Sequence, residues 1–293
     1  MRYLTKSRFK LAVECPTKLF YTGKPKIYRD NKQEDSFLQM LAEGGYQVGE
    51  LAKCQYPDGV EVEATDHAGA LAQTALLLQQ DRAVVFEAAI AFGNFFLRVD
   101  ILVKDGNRYE LIEVKAKSYD STRPDIAGSR VPIKSGMRPY IEDVAFQAWV
   151  MRQAYPGAEI STFLMMPDKS VKATQDRLNQ LFKIVRDGKK VRVTRSADAA
   201  NFTPQADLLA KVPLDEFVDV VYKQVVELKD ANIHAAVVVV EHAKQALVDA
   251  NALVSVQEDA SVLPVLAAQA KDSAVLKDAA VMVVGARFQN HLV

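Results

Sequence analysis

The chain has 293 residues, about half of them hydrophobic, enough for one large core or two smaller ones, and this excludes wholesale disorder. Thirty-seven Lys and Arg balance thirty-seven Asp and Glu, so overall charge does not announce a nucleic-acid partner, which has to be read from local patches. Two cysteines (Cys15 and Cys54) exclude a disulfide framework, no uncharged apolar run reaches about 18 residues, and MRYLTKSRFK lacks the apolar core of a signal peptide, so the expectation is a soluble cytoplasmic protein with no membrane segment.

Residues 1–30 are basic: Arg2, Lys6, Arg8, Lys10, Lys18, Lys24, Lys26 and Arg29 stand against only Glu14 and Asp30. The spacing of Phe37, Leu38, Leu41, Val48 and Leu51 predicts a helix over 34–53. Asp66 is a natural N-cap for a second helix over 67–80. The period then changes. AVVFEAAIAF, FFLRVDILVK and RYELIEVKAK are three strand-like runs separated by Gly93-Asn94 and Asp105-Gly106-Asn107, which are turn sequences, so an antiparallel meander over about 82–117 is expected. A polar loop over about 118–138 is long for a compact domain, and loops of that length usually serve a function or are disordered. Beyond it we expect a helix over 139–155, a strand in AEISTFLMM and a helix around 171–182. A hairpin turning at Asp187-Gly188 and an amphipathic helix in LDEFVDVVYKQVVELK complete this part. Residues 1–229 thus read as one α/β domain. Residues 230–293 read as a mostly helical Ala/Val-rich region, a place where a protein partner can dock.

The stretch LIEVKAK, residues 111–117, carries the chemistry. Side chains alternate along a strand, so Leu111, Glu113 and Lys115 share one face. A hairpin with the preceding strand brings Asp100 beside Glu113. Two close carboxylates repel, and a divalent cation resolves the conflict. Mg²⁺ takes oxygen ligands and suits phosphate chemistry. Glu87, on the first strand, is a third oxygen donor, and the Val114 carbonyl a fourth. Lys115 is then placed to orient an attacking water or to offset charge on a phosphate. An isolated E-x-K triplet is fully explained by a solvated strand face, so the wider order of motifs decides.

That order is Glu87, then RVD ending at Asp100, then EVK at 113–115, then Gln147 in DVAFQAWVM. It resembles the RecB-type PD-(D/E)XK nucleases, and most closely the branch that includes the CRISPR-associated adaptation nucleases. The opening YLTKSRFKLAVECPTKLFY is similar to the start of that branch, and the resemblance covers residues 3–166. It implies a restriction-endonuclease-like core with a central mixed sheet flanked by helices, Mg²⁺ or Mn²⁺ dependence and cleavage of DNA. Asp100 and Glu113 resemble the metal ligands, and Lys115 the catalytic lysine. Glu87 resembles an extra acidic ligand, and Gln147 the helix glutamine that positions the site or the substrate backbone.

The sequence also departs from the family pattern. In GYQVGE, Gly49 stands where an early-helix histidine belongs, and Glu50 is the nearest substitute. Met151 interrupts the Q-x-x-x-Y pattern, with Tyr155 four residues on. Relatives with the Cys-Pro opening often hold an iron–sulfur cluster. One chain here lacks the thiolates for it, so none is expected, and Cys15 reads as a small buried residue at a helix end. The four histidines form no metal-ligand spacing, and His67 reads as a first-turn helix residue. Arg123, Arg130, Lys134 and Arg138 in the long loop, and Lys189 and Lys190 with Lys183 and Arg186 in the hairpin, are candidate contacts for a DNA backbone, although a solvated surface is the simpler explanation of them. The expected activity is a metal-dependent deoxyribonuclease acting in repair, recombination or defence. The alternative is a nucleic-acid-binding or scaffold protein that keeps the fold without turnover.

Overall fold

The computed structural model describes residues 3–14, 21–22, 26–28, 36–128, 131–187, 190–196, 202 and 204–227. Cys15, Arg130, Lys189, three of the four histidines and the whole of 230–293 lie outside the described residues, as does the side chain of Lys190. Seven strands form one mixed sheet, flanked by helices on both faces. The three runs read from the sequence become β3 (Arg82–Phe92), β4 (Phe95–Asp105) and β5 (Arg108–Val114), paired antiparallel. Gly93 (φ 55°) and Gly106 (φ 61°) make the two reversals in the left-handed region that glycine enters at little cost.

Around this meander the sheet grows by short strands. At one edge β2 (Val60–Glu61) lies parallel to β3. On the other side β6 (Glu159–Pro167) lies parallel to β5, and β9 (Leu209–Pro213) closes the sheet antiparallel to β6. Pro213 ends this edge strand, where a missing N–H costs nothing. The seventh strand, β1 (Leu4–Thr5), pairs parallel with Phe95 and Phe96 of β4. Since β3 occupies one side of β4, β1 shares the other side with β5, which pairs only with Ile101–Asp105. The two partners leave a fork in the sheet, and Asp100 stands in it.

The helices are α1 (Lys6–Glu14), α2 (Ser36–Lys53), α3 (His67–Leu77), α4 (Arg138–Ala154), α5 (Leu178–Leu181) and α6 (Asp215–Glu227). Alternation sorts the sheet's faces. Leu102, Leu111 and Leu164 pack with Ile141 and Val144 of α4 and Val218 of α6. Ile101, Ile112 and Met165 pack on the opposite side with Leu51 and Ala52 of α2. Phe182 joins that second cluster from β7 (Phe182–Asp187), which pairs antiparallel with β8 (Lys190–Arg195) in a separate hairpin. The caps are local chemistry: the Asp66 carboxylate accepts from Gly69 N at 2.9 Å and starts α3.

One expected element is corrected. In place of a helix over 171–182 there is only the single turn α5. Tertiary ties claim the preceding backbone: Asp168 accepts from Ser170 N and Ser121 N, Gln205 accepts from Thr174 N, and Arg177 is left-handed (φ 55°). The long loop, by contrast, is pinned. Tyr119, Ile126, Ile133 and Met137 are buried, and Tyr119 forms a parallel bridge with Asp168. Among the described residues no helix is long and apolar enough to cross a membrane.

Candidate active site

Register alone brings the acidic residues together. Leu102 pairs with Leu111 and Ile101 with Ile112, so the next step along the ladder sets Asp100 opposite Glu113. The same counting on the other side sets Glu87 opposite Asp100, between Phe86↔Ile101 and Ala88↔Val99. The strands part at this point. Asp100 Oδ2 accepts from Val114 N at 2.7 Å, so the carboxylate stands in for the strand carbonyl that would otherwise continue the ladder. Glu87 has φ 54°, a left-handed backbone inside a strand. For a residue with a Cβ this costs on the order of 1–3 kcal/mol, and such strain gathers at functional sites.

Glu113 is the hub. Its side chain is fully buried, and it receives Lys115, Gln147 Nε2 (2.7 Å to Oε2) and Lys6 (2.9 Å to Oε2, 3.2 Å to Oε1). Gln147 comes from α4, and its Nε2 also lies 3.4 Å from Asp143 Oδ1 one turn earlier. Asp143 is itself fully buried. Its Oδ2 lies 2.6 Å from Lys10 Nζ and 3.7 Å from Lys115 Nζ, though no geometrically good hydrogen bond reaches it. Gln147 Oε1 is likewise buried with no hydrogen-bond partner. The pocket thus holds Asp100, Glu113 and Asp143 against Lys6, Lys10 and Lys115.

The charges tune one another. Burial pushes the Glu113 carboxyl up, but Lys6, Lys115 and the Gln147 amide outweigh it and hold the group well below the usual carboxylate range. Asp143 goes the other way, pushed up to about 6 by burial and then by the charge of Glu113. Burial and then Glu113 raise Asp100; burial and then Asp100 raise Glu87. Lys6 and Lys115 are raised although burial opposes their charge, because Glu113, Asp100 and Asp143 together exceed it.

Of the residues singled out from the sequence, Asp100, Glu113, Lys115 and Gln147 meet in this pocket, with Glu87 on the adjoining strand and Val114 tied to Asp100. Gln147 touches Glu113 and Asp143 and is sealed from solvent, so its reach is to the carboxylates. Glu50 is not brought in: α2 lies on the opposite face of the sheet, where Glu50 pairs with Lys53 (2.7 Å) and Arg195 (3.6 Å). Tyr155 stacks on Tyr109 at the C-terminal end of α4. Of the loop cations, Lys134 pairs with Asp125 and Arg138 with Glu142, while Arg123 is exposed. Arg186 in the hairpin is engaged by Glu43.

The sequence reading missed Lys6, Lys10 and Asp143. Their signals were present: Lys6 and Lys10 are four apart, as are Asp143 and Gln147, so each pair shares one side of its helix. What joins the two helices is Phe9, stacked on Phe146 at 4.4 Å between centroids and 9° between planes.

An all-oxygen donor set suits a hard divalent cation. Among the described residues no group of three or more His, Cys, Asp or Glu is arranged to hold a metal ion. Mg²⁺, however, is usually held by only one or two carboxylates and keeps several waters. Asp100 and Glu113, with the buried Gln147 Oε1 that has no hydrogen-bond partner among the described residues, meet that smaller requirement. No family model matches the chain, and neither a curated protein nor a solved structure matches it.

Proposed function

We propose that the chain is a RecB-type PD-(D/E)XK nuclease with a restriction-endonuclease-like core, hydrolysing phosphodiester bonds of DNA with Mg²⁺ or Mn²⁺. The observation that carries this reading is convergence at one carboxylate. Lys115 and the Gln147 amide, more than 30 residues apart in sequence, both engage Glu113, which shares the Lys6 ammonium with Asp100. A surface ion pair on a solvated strand does not need a fully buried acceptor served by a buried amide.

Asp100 and Glu113 would hold the cation, with Glu87 and the Val114 carbonyl assisting. When bound, the cation supplies Lewis acidity toward water and the phosphate oxygens. Lys115, four-fifths buried and held charged by its neighbours, places an ammonium where negative charge grows on the phosphate. Gln147 is a positioning residue: its amide fixes the orientation of Glu113. Arg123, exposed in the loop that follows the site, is the best placed of the loop cations to meet a DNA backbone.

The test is incubation of the purified chain with end-labelled single- and double-stranded DNA, with and without Mn²⁺. Cleavage that needs Mn²⁺ and disappears in Lys115→Ala supports the reading; full Mn²⁺-dependent cleavage by that variant refutes it. A second reading, a DNA-binding protein without turnover, is favoured by one observation: Lys6 places an ammonium between Asp100 and Glu113. It expects DNA binding with little metal dependence and no products.

A further inference from the structure

Lys6 Nζ sits inside a shell of four oxygens: Glu113 Oε2 at 2.9 Å and Oε1 at 3.2 Å, Asp100 Oδ1 at 3.3 Å and Arg98 O at 3.4 Å. An ammonium has three protons for these four acceptors. The two Glu113 oxygens share one proton, and the distances are those of a hydrogen-bonded ammonium rather than of a metal ion. Gln147 Oε1, on the amide that bonds Glu113, is buried with no hydrogen-bond partner among the described residues.

The other two lysines are anchored differently. Lys115 continues the sheet, its N–H bonded to Met165 O at 2.9 Å, and Lys10 pairs with Asp143. Lys6 follows a two-residue strand and opens a nine-residue helix, and about a quarter of its side chain is exposed. Its ammonium is the one lying between Asp100 and Glu113, and it comes from outside the strands that carry those two carboxylates.

We propose that Lys6 is an internal counter-ion, holding Asp100 and Glu113 together in the metal-free protein and competing with the divalent cation for them. The proposal rests on the nuclease reading's cation site and adds a residue that sets how tightly that site binds. Without Lys6 the two carboxylates face each other with less compensation, and a divalent ion gains an unobstructed place.

The test is calorimetric titration of the full chain with MnCl₂, in the wild type, Lys6→Met, Lys6→Arg and Asp100→Asn, each checked for folding by circular dichroism. We expect Lys6→Met to bind Mn²⁺ at least about tenfold more tightly, and Lys6→Arg, which keeps the charge, to stay near wild type. Mn²⁺ should also raise the melting temperature of Lys6→Met more than that of wild type. Equal affinity in wild type and Lys6→Met, lost in Asp100→Asn, overturns the counter-ion and leaves the nuclease reading intact. Absence of Mn²⁺ binding in every protein overturns both. A second measurement needs no variant: amine labelling of wild type read by mass spectrometry. Labelling of Lys6 should rise when Mn²⁺ is added; unchanged or reduced labelling refutes the displacement.

Discussion

Replacing Phe9 with alanine tests whether α1 is part of the site or an ornament on it. Phe9 is 3% exposed and Phe146 1% exposed, and their rings stack at 4.4 Å, with Phe95 a further 6.1 Å from Phe146. Removing a buried phenyl ring costs about 3–5 kcal/mol when the cavity cannot collapse. About 0.5–1.5 kcal/mol of that belongs to the ring pair. For a domain of this size each kcal/mol moves the melting temperature by about 2–4 °C, so a fall of roughly 6–20 °C is expected. The loss is capped, though, because α1 can detach once undocking becomes cheaper than the cavity. The assay is therefore double: urea denaturation for the global loss, and hydrogen exchange over residues 6–14 for local release. Phe9→Leu, which keeps most of the volume, should lose only about the ring-pair share. A loss below about 1 kcal/mol in Phe9→Ala, with exchange over α1 unchanged, would refute the claim that this stack carries Lys6 and Lys10 to the pocket.

Other perturbations have definite signs. Glu113→Gln keeps the shape but leaves buried ammonium groups short of a carboxylate, and should cost about 3–5 kcal/mol in chemical denaturation; a neutral outcome would show that the pocket is not tightly coupled. Glu87→Gly relieves the left-handed backbone, so it should hold or raise the melting temperature while weakening Mn²⁺ binding, and a large drop in stability would contradict the strain argument. Asp143 has its folded pKa raised to about 6, above the unfolded carboxylate value. Its contribution to stability is full below pH 4 and is lost as pH rises toward 6. Asp143→Asn should remove that loss, and the difference in melting temperature between wild type and variant, followed from pH 4 to 7, reads it. Thr74→Val deletes the acceptor of the buried Ala89 N–H (2.8 Å) and should cost about 1–3 kcal/mol by urea denaturation, with a cost near zero arguing against that bond.

The meander was legible because two signals agree there: alternation with a period of two, and glycines at the reversals that need a left-handed backbone. From it followed the facing of Asp100 and Glu113, since one register fixes every pair. Helices α2 and α6 were legible from the spacing of their apolar residues, and α3 from the Asp66 cap. The short pieces were not. β1 and β2 are two residues each, and nothing local distinguishes them; they are strands because β4 and β3 offer open edges. Helix α1 owes its place to a tertiary contact, Phe9 on Phe146, rather than to any pattern of its own. The failed helix over 171–182 is the reverse case, where the Asp168 and Gln205 side chains claim the Ser170 and Thr174 N–H groups at its start. Lys6, Lys10 and Asp143 stayed hidden because their role appears only when α1 is docked on α4, more than 120 residues away in the chain.

The claim that most depends on geometry is that Asp100 and Glu113 frame a cation position. Crystals soaked in MnCl₂ and measured at a wavelength where manganese scatters anomalously test it directly. The account predicts an anomalous peak between the two carboxylates, with the Lys6 ammonium moved out of the oxygen shell. A map with no peak there, and Lys6 still between Asp100 and Glu113, would contradict it.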